Sequence, residues 1–340
     1  MSWNAIAASI AVALALTAPV HAQSAQSSQS AEEFYRGRTI TILVGFTAGG
    51  GYDLYARLLG RHMGRYLPGN PSVIVQNMPG AGSLKATQYV YGVAPKDGTV
   101  LATVSRGMVT EPLLNDAKFD ATKLTWIGSI TSETSVCATW HTSPVKTWPD
   151  MLAREFSLGG SAIGADPDTF ALILRNVFGA KVKLVTGYPG GNDINLAMER
   201  GEVEGRCGWS WTSLKSQKAW LKQINVLVQF ALEKNSDLPD VPSALERAAN
   251  DEQRQVLRLL IAGQFVGRPF FTSPGIPSDR RAALRRAFDA TMTDPRFLEE
   301  AAKIDLEISP IAAEAIDAFL AELYRTPRDI VRKAVTAIQK

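Results

Sequence analysis

Glycine clusters placed between an apolar, strand-like run and a helical periodicity are the features of this chain best suited to hold an anion. In GFTAGGGYDLYAR, Gly45 to Arg57, the cluster Gly49-Gly50-Gly51 follows Phe46 and Ala48 and precedes a helical pattern that starts near Asp53. Backbone N–H groups in the first turn of such a helix lack intrahelical acceptors and carry the positive end of its dipole, so the turn can cradle a carboxylate or phosphate. The spacing is neither GxGxxG nor GxxxxGKS/T, which argues against a dinucleotide and against a nucleoside triphosphate. A tight turn is the plainer alternative for the glycines, and a first-turn acid favoured by the dipole is the plainer one for Asp53. A second junction, VIVQNMPGAGS, brings Asn77, Gly80 and Ala81 to the carboxyl end of another strand-like run, where ligands collect in open α/β sheets. The segment GGSAIGADPDTFALILRN repeats the scheme with Ser161, Gly164, Asp168 and Thr169. VTGYPGGNDINLAMERGEVEG does so again, with Tyr188 beside Gly190-Gly191 and with Asn192 or Asp193 able to cap the helix that follows.

Two arginines follow strand-like segments, Arg106 after Ser105 and Arg206 after Gly205. A guanidinium in that position can fork onto a carboxylate, although a solvated surface arginine is the commoner case. Trp209 and Trp211 can wall a cleft against an aromatic or long-chain acid, and at most one of the two is expected to reach it. Hydrolytic chemistry finds little support. There is no GxSxG or HExxH, and beyond His21 the histidines are His62, on a surface-like helix, and His141. Two cysteines and three histidines do not make a common zinc spacing, so neither a metal nor another cofactor is expected. Cys137 and Cys207 both lie in apolar, strand-like contexts; a disulfide and two buried thiols stay open.

The elements that would position these residues alternate. Strands are expected at 39–46, 72–76 and 99–105, with helices at 53–59 and 83–93 between them, which indicates βαβ units and a mostly parallel sheet. A second α/β region begins near Glu133, with strands at 135–140, 155–159, 182–186 and 203–209 and helices at 148–153, 168–178 and 193–200. From Leu238 onward Pro-punctuated loops and amphipathic helices at 244–260, 278–294 and 312–325 form a helical return to the first region. With 340 residues the chain is longer than a single core usually grows, so two lobes are expected. A composition 46% hydrophobic and 20% charged excludes a disordered chain, and a net charge of +3 gives no electrostatic footprint for nucleic acid.

From Met1 to Ala31 there is no charged side chain. Residues 5–18 are small and apolar, Pro19-Val20-His21-Ala22 ends in a small-x-small pattern, and a Gln/Ser-rich stretch follows. This reads as a secretory signal cleaved after Ala22, with a flexible leader to residue 32. No later run is long enough to span a bilayer, so the expected mature protein is soluble and exported to the periplasm.

GFTAGGGYDLYARLLGRHMGRYLP, VIVQNMPGAGSLKAT and APKDGTVLA stand in the order and spacing of the first lobe of the tripartite tricarboxylate transporter substrate-binding receptors, the Bug family, which this chain resembles. GYPGGNDINLAMERGEVEG is similar to the family's second-lobe block, and LPDVPSALE and PGIPSDRRAAL to its Pro-rich return. The resemblance covers nearly all of the expected mature chain. It implies a type II periplasmic binding protein fold, two α/β lobes joined by a hinge with the ligand cleft between them. The boundaries would be 33–132 for the first part of lobe 1, 133–257 for lobe 2 and 258–340 for the return. It also implies anion contacts through backbone N–H groups and waters of the 46–51 and 161–169 loops. Asp166-Pro167-Asp168-Thr169 departs from the family's pattern, which often has a histidine there, and the Trp-rich run after Arg206 departs as well. The expected function is capture of a small organic carboxylate (di-, tri- or aromatic) and its delivery, by a monomer, to a membrane permease. An extracytoplasmic sensor using the same pocket is the main alternative and an exported enzyme a weaker one.

Overall fold

The computed structural model describes residues 30–162 and 164–339. The expected signal segment, its cleavage after Ala22 and the leader as far as residue 29 lie outside the described residues. Ser30 caps the short helix Ala31–Tyr35 through a capping box with Glu33, so residues 31 and 32, expected within the leader, are helical.

Two sheets carry the architecture. The first has the order β11-β4-β10-β3-β1-β2, built from β1 (Thr39–Val44), β2 (Ser72–Asn77), β3 (Val100–Thr103), β4 (Thr125–Ser129), β10 (Pro269–Thr272) and β11 (Ile311–Ala312). The second has the order β7-β6-β8-β5-β9, from β5 (Ser135–Trp140), β6 (Phe156–Gly159), β7 (Val182–Val185), β8 (Gly205–Ser210) and β9 (Ile224–Phe230). β1 runs parallel to β2 and β3, and β6 runs parallel to β7 and β8. β10 lies antiparallel between β3 and β4, and β5 lies antiparallel between β8 and β9. The chain passes between the sheets twice, from β4 to β5 and from β9 back to β10, which gives two lobes joined by two crossings.

The first sheet is covered on both faces, and the sequence of β1 shows why. Ile40, Ile42 and Val44 point into a core with Tyr55, Leu58 and Leu59 of the helix Gly51–Met63 and with Phe288 and Phe297. Leu43 points the other way, into a core with Ala86, Val90 and Trp126. A strand buried on both faces is apolar along its length, and β1 approaches that from Ile40 to Val44, broken only by the half-buried Thr41. In the second lobe the helix Asp166–Asn176 is buried from Asp166 to Leu174 and lies on β8 and β7. Cys137 on β5 and Cys207 on the neighbouring β8 form a disulfide, both side chains fully buried.

Three expectations need correction. The helix expected at 244–260 spans only Asp251–Leu260, because Asn250 caps it by accepting the Gln253 N–H while Ala244 N–H bonds back to Gln229 O. Trp211 does not continue a strand: β8 ends at Ser210 and Trp211 opens the helix Trp211–Ser216. The return does not rejoin the first lobe throughout. β10, β11 and the helix Ala313–Leu323 join the first sheet, but the last helix, Arg328–Ala337, packs on Asp251–Leu260 and touches both Glu111–Leu114 of the first lobe and Asp166–Asn176 of the second, where the Asn176 side chain donates to Ala337 O at 3.0 Å.

Candidate functional site

A cleft of about 750 Å³, mouth included, opens between the two lobes. The first lobe contributes Phe46, Thr47, Gly50, Gly51 and Tyr52 from the turn after β1, Ser105 and Arg106 from the turn after β3, and Arg268 ahead of β10. The second lobe contributes Ser161 after β6, Asp166 and Pro167 at a helix start, Gly191, Asn192 and Asn195 at another, and Arg206, Gly208 and Trp209 from β8. Ser210, Ser213 and Gln217 close one side.

Three helices begin at this cleft: Gly51–Met63, Asp166–Asn176 and Gly191–Glu199. Their N-cap residues are Gly50, Ala165 and Gly190, and none supplies a side-chain cap. Away from the cleft Thr147, Asn250 and Asp294 cap their helices, while the helices Ser278–Met292, Ala313–Leu323 and Arg328–Ala337 also lack a side-chain cap. Uncapped first turns leave N–H groups for another acceptor.

The turn after β1 is held from behind. Gly49, at φ +81°, donates its N–H to Asp53 Oδ2 at 2.9 Å. Arg57 forks onto Asp53 with both bonds at 2.9 Å, and the Asn77 amide donates to Phe46 O at 3.0 Å and to Asp53 Oδ1 at 2.9 Å. Burial pushes the Asp53 carboxyl up, but the bonds from Arg57, Gly49 and Asn77 outweigh it and hold it below the usual carboxylate range.

Three buried guanidinium groups meet at the cleft. Arg106, 2% exposed, pairs through Nε with Asp166 Oδ2, donates to Ser135 Oγ at 2.6 Å and lies 3.8 Å from Glu133. Burial draws its pKa down, but Asp166, Tyr52 and Glu133 outweigh that and hold it above its ordinary value. Arg268, 1% exposed, lies 3.2 Å from Glu133, donates to Ser210 and Ser213, and stacks over the Tyr52 ring at 4.7 Å. Arg206, 5% exposed, is different. It donates from Nη1 to Gly191 O at 2.8 Å and to Asn195 Oδ1 at 3.0 Å and lies over the Trp209 ring at 5.2 Å. Among the described residues no carboxylate pairs with it. Burial, with the Arg106 cation beside it, outweighs the nearby Asp166 carboxylate and pushes its guanidinium down to about 9, so it stays charged at neutral pH without a directly paired carboxylate. Arg106 Nη1, Arg268 Nε and Ser161 Oγ are also buried without a hydrogen-bond partner among the described residues.

The lobes touch around the cleft. A Cβ on Gly107 would come within 2.5 Å of Gly164 O, and one on Gly190 within 2.5 Å of Thr47 Oγ1. These close approaches and the Arg106–Asp166 pair join one lobe to the other beside the cleft.

Of the residues singled out in the sequence, Phe46, Gly50, Ser105 and Arg106 line the cleft from one lobe, and Ser161, Arg206 and Trp209 from the other. The others stand outside the lining. Ala48 and Gly49 face solvent, and Asp53 and Asn77 turn inward to brace the loop. Gly80 and Ala81 form the turn whose next residue, Gly82, abuts Ala165 of the other lobe. Gly164 lies under Glu111 and Gly107, and Thr169 is one turn down its helix. Asp168 accepts from Thr186 Oγ1 at the end of β7, and Tyr188 packs its ring on Gly159. Trp211 shares a core with Trp209 and donates its indole N–H to Asp237 at 3.1 Å. Sequence reasoning missed Tyr52, Asp166, Asn195 and Arg268 as cleft residues. Tyr52, next to the glycine cluster, and Asp166, inside a segment already singled out, were within reach; Arg268 has no local signal.

The family model for the tripartite tricarboxylate transporter family receptor matches residues 56–335. A UPF0065 protein from the gbd 5' region of Cupriavidus necator is 26% identical over 322 residues, 91% of each chain. A UPF0065 protein of Agrobacterium vitis is 25% identical over 338 residues, 97% of this chain and 91% of the relative. Among solved structures, the periplasmic binding protein BugD superposes with a TM-score of 0.71 at 21% identity, covering 88% of this chain and 98% of its own. MatC of Rhodopseudomonas palustris with bound malate gives 0.69 at 18% identity, covering 89% and 99%. An R. palustris protein with adipate gives 0.68 at 20% identity, covering 88% and 97%. At such identities the structural likeness speaks to the fold.

Proposed function

The chain belongs to the tripartite tricarboxylate transporter receptor family, a family of solute receptors rather than enzymes, and on that premise we propose that it captures a small organic carboxylate in the cleft between its lobes. The lobes close over the ligand as a hinge, and the closed form is what a membrane permease of the tripartite type receives on the periplasmic side. Arg206 carries this reading: a buried cation with no protein carboxylate, at a cleft where three uncapped helices begin. The structural neighbours with malate and with adipate support it, since both ligands are carboxylates. No helix among the described residues is long and apolar enough to cross a membrane, which fits an exported receptor with its expected signal cleaved after Ala22.

The test is thermal unfolding of residues 23–340, refolded from denaturant to strip carried ligand, against mono-, di-, tri- and aromatic carboxylates. An acid at a hundredfold its Kd adds about 2.7 kcal/mol and raises the midpoint by several degrees. A cooperatively melting protein that ignores every carboxylate contradicts the proposal.

A further inference from the structure

The charges around the cleft do not balance, and the imbalance is local. Three guanidinium groups, Arg106, Arg206 and Arg268, meet two protein carboxylates, Glu133 and Asp166, which leaves one positive charge. The pairing shows where it resides. Glu133 lies near both Arg106 and Arg268 and accepts from Ser210 and Thr212, while Asp166 Oδ2 takes Arg106 and, at 3.2 Å, the Gln264 amide. Arg106 and Arg268 already hold their anions. Arg206, next to them, has no paired carboxylate and feels Asp166 only at longer range, and among the described residues no acceptor takes a bond from its Nη2. Beside these charges the lining also carries flat and apolar groups: Phe46 stacks on Tyr52 with centroids 4.9 Å apart, and Pro167 and Trp209 line the same cavity.

We propose that the cleft selects a monocarboxylate with an uncharged, flat or apolar body, whose single carboxylate neutralises Arg206 while Asp166 repels a second one. This rests on the carboxylate-receptor reading and narrows it. A second ligand carboxylate beside Asp166 would meet a like charge in a desolvated site, an arrangement that rejects the wrong partner.

Calorimetric titration of the purified protein at neutral pH with hexanoate, adipate and monomethyl adipate tests it, since the three share a six-carbon acid chain and differ in charge. Hexanoate and monomethyl adipate are expected to bind about tenfold or more tighter than adipate. In Asp166→Asn that preference should shrink about tenfold or reverse, because the built-in carboxylate is gone. Adipate binding as tightly as the two monoanions to the unsubstituted protein overturns the inference while leaving the receptor reading intact. A preference unchanged in a folded Asp166→Asn protein overturns it as well. Benzoate against terephthalate repeats the comparison on a flat body, and a second carboxylate that improves binding there counts against the inference. If no acid of either series binds, the receptor reading falls, and this inference with it.

Discussion

In the turn after β1, on the first-lobe wall of the cleft, the polar side chains satisfy one another: Asp53 takes the Gly49 N–H, Arg57 and the Asn77 amide, and this turn presents Thr47, backbone and the Phe46 and Tyr52 rings to the cavity. On the facing wall β8 brings Arg206 into the cavity with no countercharge and leaves Trp209 beneath it. A wall whose polar groups are paired is stable without ligand and can act as a rigid platform. A wall with a desolvated, uncompensated cation gains only when an anion arrives. Binding energy should therefore be concentrated on the second lobe and loop stability on the first, and the two can be broken separately.

The largest effect should come from removing the staple behind the second wall. Replacing both Cys137 and Cys207 by alanine is expected to cost roughly 2–4 kcal/mol of stability in urea unfolding, and to weaken ligand binding because Arg206 adjoins the bridge. Arg206→Met should abolish or weaken carboxylate binding by about a hundredfold, which corresponds to about 2.7 kcal/mol. The free protein should melt no lower than the parent, since a buried charge without a partner has been removed. A large loss of free-protein stability in that variant would count against the assignment.

The first wall should answer in the opposite sense. Asp53→Ala is expected to lower stability by about 1–3 kcal/mol with a smaller loss of affinity, because it strands Gly49 N–H, Arg57 and Asn77 rather than a ligand contact. The folded pKa of Asp53 is depressed, so its contribution is present above the ordinary aspartate value and lost as pH falls through the folded one; Asp53→Asn should flatten the acid limb of a stability–pH curve. Gly107→Ala sets a methyl group against Gly164 O where the lobes meet and so opposes closure; affinity measured by calorimetric titration should fall about tenfold at most. The smallest effect belongs to Glu111, whose carboxyl burial raises despite the Asn115 bond. Its raised folded pKa gives stability that is full below the ordinary glutamate value and is lost as pH rises through the folded one. Glu111→Gln should remove that slope and make the protein slightly more stable at neutral pH, read as a melting midpoint across pH.

Much of the first lobe was legible because its grammar is local. The run of β1, the glycine cluster and the helix after it follow one another within a few turns of chain, so residue types and spacing state the arrangement directly. The strands at the crossings were not legible in the same way. β4 contains Gly128 at φ +155°, β10 opens with Pro269, and both are short strands whose pairing is set by distant partners. β9 is apolar enough to be read, yet its place at a sheet edge beside β5 is a matter of topology. The same distinction divides the site. Arg106 and Arg206 could be nominated from the strand-like segments they adjoin, although Arg206 lies within β8 rather than after a strand, but which of them would be paired depended on Asp166 and Glu133, residues brought in by folding. Arg268 reaches the cleft only because the chain returns to the first sheet, and Trp211 misses it because a helix start ends the strand alternation.

A crystal structure of the protein with a saturating carboxylate bears most directly on the cleft assignment. The ligand carboxylate is predicted within hydrogen-bond distance of Arg206 Nη2 and of the N–H of Gly191 or Asn192, with its body between Phe46 and Trp209. A carboxylate bound instead against Arg268 and Arg106, or seated outside the cleft in the hinge-side cavity lined by Ser132, Asn235 and Phe265, would contradict the account.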